Sequence, residues 1–109
     1  MKLRLDKPWK DLNPANISGL QAQLGVYQVA DASGTVVRIG MAGAKELFGL
    51  RSALTRELQV LGPRHRFRVE VNSQYQSRWR ELLMLHVADY GDVPRGNLDD
   101  RPAHLGKIG

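Results

Sequence analysis

Residues 24–40 read LGVYQVADASGTVVRIG and contain the clearest strand signal in the chain. Two runs rich in β-branched residues, Leu24–Ala30 and Thr35–Ile39, flank the tetrapeptide DASG at 31–34. A loop of this length that combines aspartate, serine and glycine is typical of a β-hairpin. We therefore predict that the stretch forms two antiparallel strands, and that the rest of the fold is built on them.

A helix, a strand and a second helix are predicted after the hairpin. Leucines recur every three or four residues and stop at Gly62-Pro63, which predicts an amphipathic helix; they are Leu47, Leu50, Leu54, Leu58 and Leu61. Apolar residues at 67, 69 and 71 then alternate with polar ones, which indicates a third, half-buried strand. The stretch from Tyr75 to about Tyr90 predicts the last helix, which Gly91 ends.

Upstream of the hairpin, Asn13 as N-cap and Pro14 at the first helical position predict a short helix that ends at Gly19 or near residues 24–25. The element order predicts an α+β fold with a small three-stranded antiparallel sheet, one face of which is covered by both long helices. Residues 1–109 are expected to form a single domain, with an irregular N-terminal segment at 1–13 and a C-terminal tail at 98–109.

The composition excludes several classes of protein. With 42% hydrophobic and 25% charged residues, the 109-residue chain has the balance of a globular domain and lacks a long apolar segment. The first six residues have no apolar core of the kind that a secretory signal needs, so we expect a cytoplasmic protein that does not bind membranes. The absence of cysteine excludes thiolate metal sites and cysteine nucleophiles.

The formal net charge of +5 favours an anionic partner, although many basic domains carry such charge only for solubility. Arginines that meet phosphates release condensed counterions, so nucleic acid is the first partner to expect. The predicted phosphate-contacting residues are Arg64, Arg66, Arg68 and Arg78. Charge that protects a strand edge from aggregation explains Arg66 and Arg68 equally well.

Two tripeptides at the ends of the predicted strands point to a family. Gly25-Val26-Tyr27 and Arg38-Ile39-Gly40 resemble the paired motifs of the GIY-YIG nuclease superfamily. Further along the chain, the arginine of that family corresponds to Arg51 and its glutamate to Glu81. The trailing proline and asparagine of the family correspond to Pro94 and Asn97. The resemblance covers roughly residues 20 to 97 and implies a GIY-YIG-like fold.

The resemblance also implies a chemistry, which is hydrolysis of a phosphodiester by an endonuclease, with DNA favoured over RNA. It implies that Glu81 holds a Mg²⁺ or Mn²⁺ ion, for which a carboxylate is a suitable ligand. It implies that Tyr27 lies near the attacking water and that Arg51 binds the phosphate, which its planar guanidinium matches. Specificity for a target nucleic acid would come from a protein partner, or would be low.

The second tripeptide departs from the family pattern, because Arg38 replaces its tyrosine with a permanent charge. Two hypotheses follow from that difference. In the first, the chain is a metal-dependent nuclease in which Tyr27, Arg38 and Arg51 act with Glu81. In the second, it is a non-catalytic module that uses the same fold to bind nucleic acid or a protein. Convergence of Tyr27, Arg51 and Glu81 in one cleft is what the nuclease hypothesis requires.

Each of these residues also has a purely structural explanation. Tyr27 is compatible with a core position in which its hydroxyl lies at the rim. Glu81 is compatible with an exposed helix face, and Arg51 is compatible with the flank of a helix. On the apolar side of the last helix, His86 is expected to form hydrogen bonds, since the three histidines lack the spacing of a metal site.

Overall fold

The computed structural model describes residues 3–101, which form an antiparallel sheet with helices on both of its faces. The four strands are β1 (Lys10–Asp11), β2 (Gly25–Ala30), β3 (Val36–Ala42) and β4 (Arg66–Val71). The α-helices are α1 (Pro14–Ser18), α2 (Leu50–Leu61) and α3 (Tyr75–Tyr90), and a 3₁₀ helix follows at Arg95–Asp100. The strands lie in the order β1-β4-β2-β3.

The predicted α+β fold with an antiparallel sheet is confirmed, but the sheet has four strands rather than three. The predicted hairpin is β2 and β3, which pair from Gly25 opposite Ala42 to Ala30 opposite Val36. The additional strand is β1, which lies within the segment predicted to be irregular and pairs with the free edge of β4. Because β1 has only two residues, it cannot display the alternation that reveals a strand in a sequence.

The predicted helices are present, with one change at a boundary. Asn13 caps α1 by accepting a hydrogen bond from the Asn16 amide at 2.8 Å, as the Asn13-Pro14 pair predicts. The second helix begins at Leu50 rather than at Leu47, whose side chain is exposed. The reason is Gly49, which has φ 56° and lies against the backbone of Gln23, so the chain turns sharply there before it becomes helical.

The two long helices lie on opposite faces of the sheet, and the prediction that both cover one face is wrong. One core cluster joins Tyr27, Val29 and Phe67 of the sheet to residues of α2. The other joins Val26 and Ile39 to residues of α3. All six residues of β2 are buried, because this central strand has a helix over each of its faces. Burial at every position, rather than at every second one, is the pattern of a strand with two covered faces.

An irregularity in the hairpin brings Arg38 to the α2 face. Val29 pairs with Arg38 and Ala30 with Val36, so Val37 is an extra residue without a partner on β2. Such a bulge turns consecutive side chains toward the same face. Val37 accordingly packs in the α2 cluster, and the Arg38 guanidinium reaches α2 as well.

The end of the described chain is more ordered than predicted. The 3₁₀ helix includes residues 98–100, which belong to the segment predicted to be an irregular tail, and it packs against β3. The remainder of that tail, 102–109, lies outside the described residues. Within residues 3–101, no helix has the length and apolar character needed to cross a membrane.

Gly40 is needed because Tyr27 lies directly over it. The two residues are opposite each other on β3 and β2. A Cβ atom at position 40 would lie 2.1 Å from Cζ of Tyr27 and 2.2 Å from its hydroxyl oxygen. The Tyr27 side chain is almost completely buried, so it has little room to move away. The close packing of this ring against β3 therefore depends on glycine.

We expect Gly40→Ala to lower the free energy of unfolding by about 1–3 kcal/mol, because the added methyl group overpacks a filled core. Gly19→Ala is the control, since its Cβ would meet no atom closer than 3.6 Å and its φ of −79° suits any residue. Urea denaturation followed by circular dichroism measures both changes. Equal effects of the two substitutions would contradict the close packing of Tyr27 on Gly40.

Candidate functional site

Three charged or polar side chains from different elements meet on the α2 face of the sheet. Tyr27 comes from β2, Arg38 from β3 and Glu57 from α2. The Tyr27 hydroxyl donates a hydrogen bond to Glu57 Oε2, and Arg38 Nε donates to the same oxygen at 3.1 Å. The carboxylate of Glu57 therefore holds the phenol and the guanidinium together. We call these three residues the tyrosine network.

The 3₁₀ helix extends this network at the outer edge of β3. Arg38 Nη1 donates to the Gly96 carbonyl oxygen at 2.8 Å and to Asp100 Oδ2 at 3.2 Å. The buried Asn97 side chain accepts from the Ile39 amide and donates to the Ile39 carbonyl oxygen, both at 2.8 Å. Asn97 thus replaces the neighbouring strand that edge strand β3 lacks, and its position is explained by this structural role.

The environment of Tyr27 keeps its phenol protonated. Burial raises the pKa of Tyr27 above its ordinary value of 10.0, and the negative charge and hydrogen bond of Glu57 raise it further. The positive charge of Arg38 opposes this effect without cancelling it. A general base needs the opposite change, a pKa lowered toward neutrality. Tyr27 is therefore arranged to donate a hydrogen bond rather than to remove a proton.

Glu57 is the residue of the tyrosine network that the sequence analysis missed. It continues the buried stripe of α2, seven residues after Leu50 and three after Leu54. A carboxylate at such a position must find a partner, because an unpaired buried charge is strongly unfavourable. That requirement was a signal in the sequence, and the partners that satisfy it are Arg38 and Tyr27.

Arg51 has its own contacts on the flank of α2. Its Nε donates to the Leu20 carbonyl oxygen at 3.2 Å, and its guanidinium carbon lies 5.9 Å from the centre of the Phe48 ring. These contacts are at the beginning of the helix, whereas Glu57 is near its middle. None of the hydrogen bonds within the described part of the chain joins Arg51 to the tyrosine network.

Glu81 lies on α3, which covers the opposite face of the sheet from Tyr27. Its carboxylate is paired with Arg78, which also donates to both carboxylate oxygens of Glu70. Glu70 and Glu81 thus share one guanidinium. The convergence of Tyr27, Arg51 and Glu81 that a nuclease site requires is not observed.

The residues present do not fit a catalytic divalent ion beside Tyr27. An ion at Glu81 would have to displace Arg78 and would be separated from Tyr27 by the sheet. An ion at Glu57 would have to displace Arg38. Across residues 3–101, no group of three or more histidine, aspartate or glutamate side chains is placed to hold a metal. The predicted Mg²⁺ or Mn²⁺ site therefore has no support in the geometry.

The four arginines predicted to contact phosphate divide into two pairs. Arg78 is mostly buried and paired with carboxylates, and Arg68 lies 4.1 Å from the centre of the Trp9 ring and donates to Gln28 Oε1 at 2.7 Å. Arg64 and Arg66 are exposed. Arg66 is 3.8 Å from Asp11, and both side chains of this pair are mostly in solvent. Exposed pairs of this kind contribute little.

Arg64 and Arg66 line an open groove at one end of the sheet, which we call the basic groove. Its volume is about 440 Å³. The lining residues come from β1, the start of α1, the hairpin loop and the turn before β4; they are Asp11, Asn13, Ala32, Pro63, Arg64, His65 and Arg66. The two cations and the amide side chain of this groove favour a phosphate, and the Asp11 carboxylate beside Arg66 opposes one.

The raised pKa of Tyr27 makes stability depend on pH. In the unfolded chain this phenol ionises near its ordinary pKa of 10.0, whereas in the folded protein it keeps its proton. Its contribution is therefore complete below pH 10.0 and is lost as the pH rises above that value.

We expect the free energy of unfolding to fall more steeply above pH 10.0 in the wild type than in Tyr27→Phe, by up to about 1.4 kcal/mol per pH unit. Urea denaturation at a series of alkaline pH values measures the difference, and Tyr27→Phe serves as the background for all other titrating groups. Parallel curves for the two proteins would contradict the proposed burial of the phenol.

Comparison with known proteins places the chain in a family. No curated protein matches it. A family match covers residues 1–89, from the N-terminus to the last turn of α3, and so includes all four strands and Tyr27, Arg38 and Glu57. This match spans most of the 109-residue chain. The chain therefore belongs to the family described as Domain of unknown function (DUF7508).

Proposed function

We propose that this protein is a non-catalytic nucleic-acid-binding module built on a GIY-YIG-like framework. The observation that carries the proposal is the basic groove, which is lined by the exposed Arg64 and Arg66 at one end of the sheet. Phosphate contacts made by such residues supply most of the affinity of binding without sequence preference. The opposite placement of Tyr27 and Glu81 favours binding over cleavage.

The register of the hairpin supports the GIY-YIG-like framework. The two tripeptides lie side by side, with Tyr27 of the first opposite Gly40 of the second. The arginine that replaces the second tyrosine, Arg38, is directed to Glu57 and Asp100. In this proposal the residues that resemble a catalytic site hold β2, β3, α2 and the 3₁₀ helix together.

Weak internal pairing leaves the basic groove available to an anion. Arg66 and Asp11 are separated by 3.8 Å, which is near the limit of an ion pair. Among the described residues, no carboxylate pairs with Arg64. A phosphate that enters the basic groove meets two cations that it does not have to separate from strong partners.

The test is equilibrium binding of labelled single- and double-stranded DNA and RNA over a range of salt concentrations. We expect Arg64→Glu with Arg66→Glu to weaken binding to all sequences and to reduce the salt dependence, the slope of log K against log salt, by about 2, one unit for each lost phosphate contact. The matched control is Lys45→Glu with Arg80→Glu, which makes the same change in net charge at exposed residues outside the groove.

Three results would contradict this proposal. Equal losses in the two double variants would mean that binding depends on net charge and not on the groove. Cleavage that requires Mg²⁺ or Mn²⁺ and is abolished by Glu81→Ala would establish the nuclease and would mean that the folded chain rearranges around the ion. Absence of binding to all four nucleic acids would direct the search to a protein partner.

A further inference from the structure

A second cavity lies at the same end of the sheet as the basic groove, on the side of α3. Its volume is about 350 Å³, which is within the range of sites that hold small molecules. It is enclosed by the hairpin loop, the last turns of α3 and the segment before the 3₁₀ helix. The lining residues are Ser33, Gly34, Thr35, Val36, His86, Tyr90, Val93, Pro94 and Arg95. We call it the loop cavity.

One wall of the loop cavity is aromatic. His86 and Tyr90 are one helical turn apart on α3, with ring centres 4.6 Å apart and ring planes inclined by 40°. The Nδ1 atom of His86 is 2.9 Å from the Asp92 carbonyl oxygen, and because a carbonyl only accepts, Nδ1 is assigned the proton. This bond holds His86 in place beneath Tyr90. Tyr90 itself is 73% exposed, so the wall has a ring that is open to a ligand.

The opposite wall is polar and is held in shape by Asp31. The carboxylate of Asp31 accepts hydrogen bonds from the amide of Ser33 at 3.0 Å and from that of Thr35 at 3.1 Å. It also accepts from the Ser33 hydroxyl at 2.6 Å. These bonds order the hairpin loop before any ligand arrives, which reduces the entropy that binding must overcome.

Arg95 stands at the mouth of the loop cavity with its charge available. Its side chain is 66% exposed, and its Nη2 atom is 3.4 Å from Oδ2 of the less exposed Asp31, which is a long contact. Such a pair contributes little to stability. Arg95 can therefore exchange Asp31 for a phosphate, which the arginine fork binds with better geometry. Val36 and Val93 supply an apolar surface between the charge and the aromatic wall.

An exposed ring, an apolar surface and an available arginine match a planar base attached to a phosphate. Bases stack on aromatic side chains without regard to sequence, because every base has a π-face. We propose that the loop cavity binds one unpaired nucleotide, with its base stacked on Tyr90 and its phosphate on Arg95. A nucleotide within a duplex cannot bind in this way, since both faces of its base are covered by neighbours.

The loop cavity and the basic groove meet at the hairpin loop. Ala32 lines the groove, and the next residue, Ser33, lines the cavity. A strand whose backbone contacts Arg64 and Arg66 therefore lies next to the loop cavity. This inference rests on the proposed function where it concerns a strand, and it adds a preference for single strands over duplexes. A free nucleoside monophosphate has the same chemistry, and its binding does not depend on the basic groove.

The test compares a labelled single strand, the duplex of the same sequence and free deoxyadenosine monophosphate as ligands of the intact protein. We expect Tyr90→Ala to weaken binding of the single strand by about 5- to 150-fold, the loss of about 1–3 kcal/mol from one stacked base, and to leave duplex binding unchanged. Tyr90→Phe, which keeps a ring, should retain single-strand binding. Phe48→Ala is the matched control, because it removes another exposed ring outside the loop cavity.

The mononucleotide separates this inference from the proposed function. We expect its addition to shift the amide resonances of the residues that line the loop cavity, both in the wild type and in Arg64→Glu with Arg66→Glu. Resonances that remain unchanged would overturn the inference, and so would equal losses of single-strand binding in Tyr90→Ala and Phe48→Ala. If the groove variant alone loses strand binding and the mononucleotide shifts are retained, the result bears on the basic groove and not on the loop cavity. Shifts without any strand binding would make the cavity a site for free nucleotides.

Discussion

The structure depends on the burial of β2 on both of its faces. This strand lies between β4 and β3, with α2 over one face and α3 over the other, and none of its six residues is exposed. Two of the six have polar side chains, Tyr27 and Gln28, and these point to opposite faces. A buried polar group without a partner destabilises the fold, so each must find one. Tyr27 binds Glu57 and Gln28 binds Arg68.

That requirement determines which charges remain for a ligand. Arg38 binds Glu57, the carboxylate that accepts from Tyr27, and Arg68 binds Gln28. Arg78 binds the carboxylate of Glu70. In the described residues, no buried side-chain nitrogen or oxygen lacks a hydrogen bond, which shows how completely these groups are satisfied. The arginines at the end of the sheet do not bind these groups. Arg64, Arg66 and Arg95 are exposed there, and both proposed binding surfaces use them.

The same geometry explains why a resemblance in motifs need not extend to chemistry. The residues that resemble a nuclease site are separated by the sheet, because α2 and α3 lie on different faces. Within one face, the tyrosine network is closed: its carboxylate is bound by a phenol and a guanidinium, and its guanidinium by a carbonyl and a second carboxylate. Such a network stabilises the junction of four elements, and a ligand would have to break several of its bonds.

The sequence by itself determined the features that arise from neighbouring residues. The hairpin, the strand β4 and the helices α1, α2 and α3 follow from periodicity, caps and turn residues, all of which act over a few positions. It also identified two of the residues in the tyrosine network, because Tyr27 and Arg38 lie in recognisable tripeptides.

Only the tertiary structure decided which face each helix covers and which charges pair. The strand β1 forms because the edge of β4 is available for pairing, and no local pattern indicates so short an element. Glu57 and Arg38 are 19 positions apart, and Asn97 and Ile39 are 58 apart. Contacts over such distances depend on where α2 and the 3₁₀ helix pack. Packing is a property of the whole chain, because each helix occupies the apolar surface that the others leave exposed.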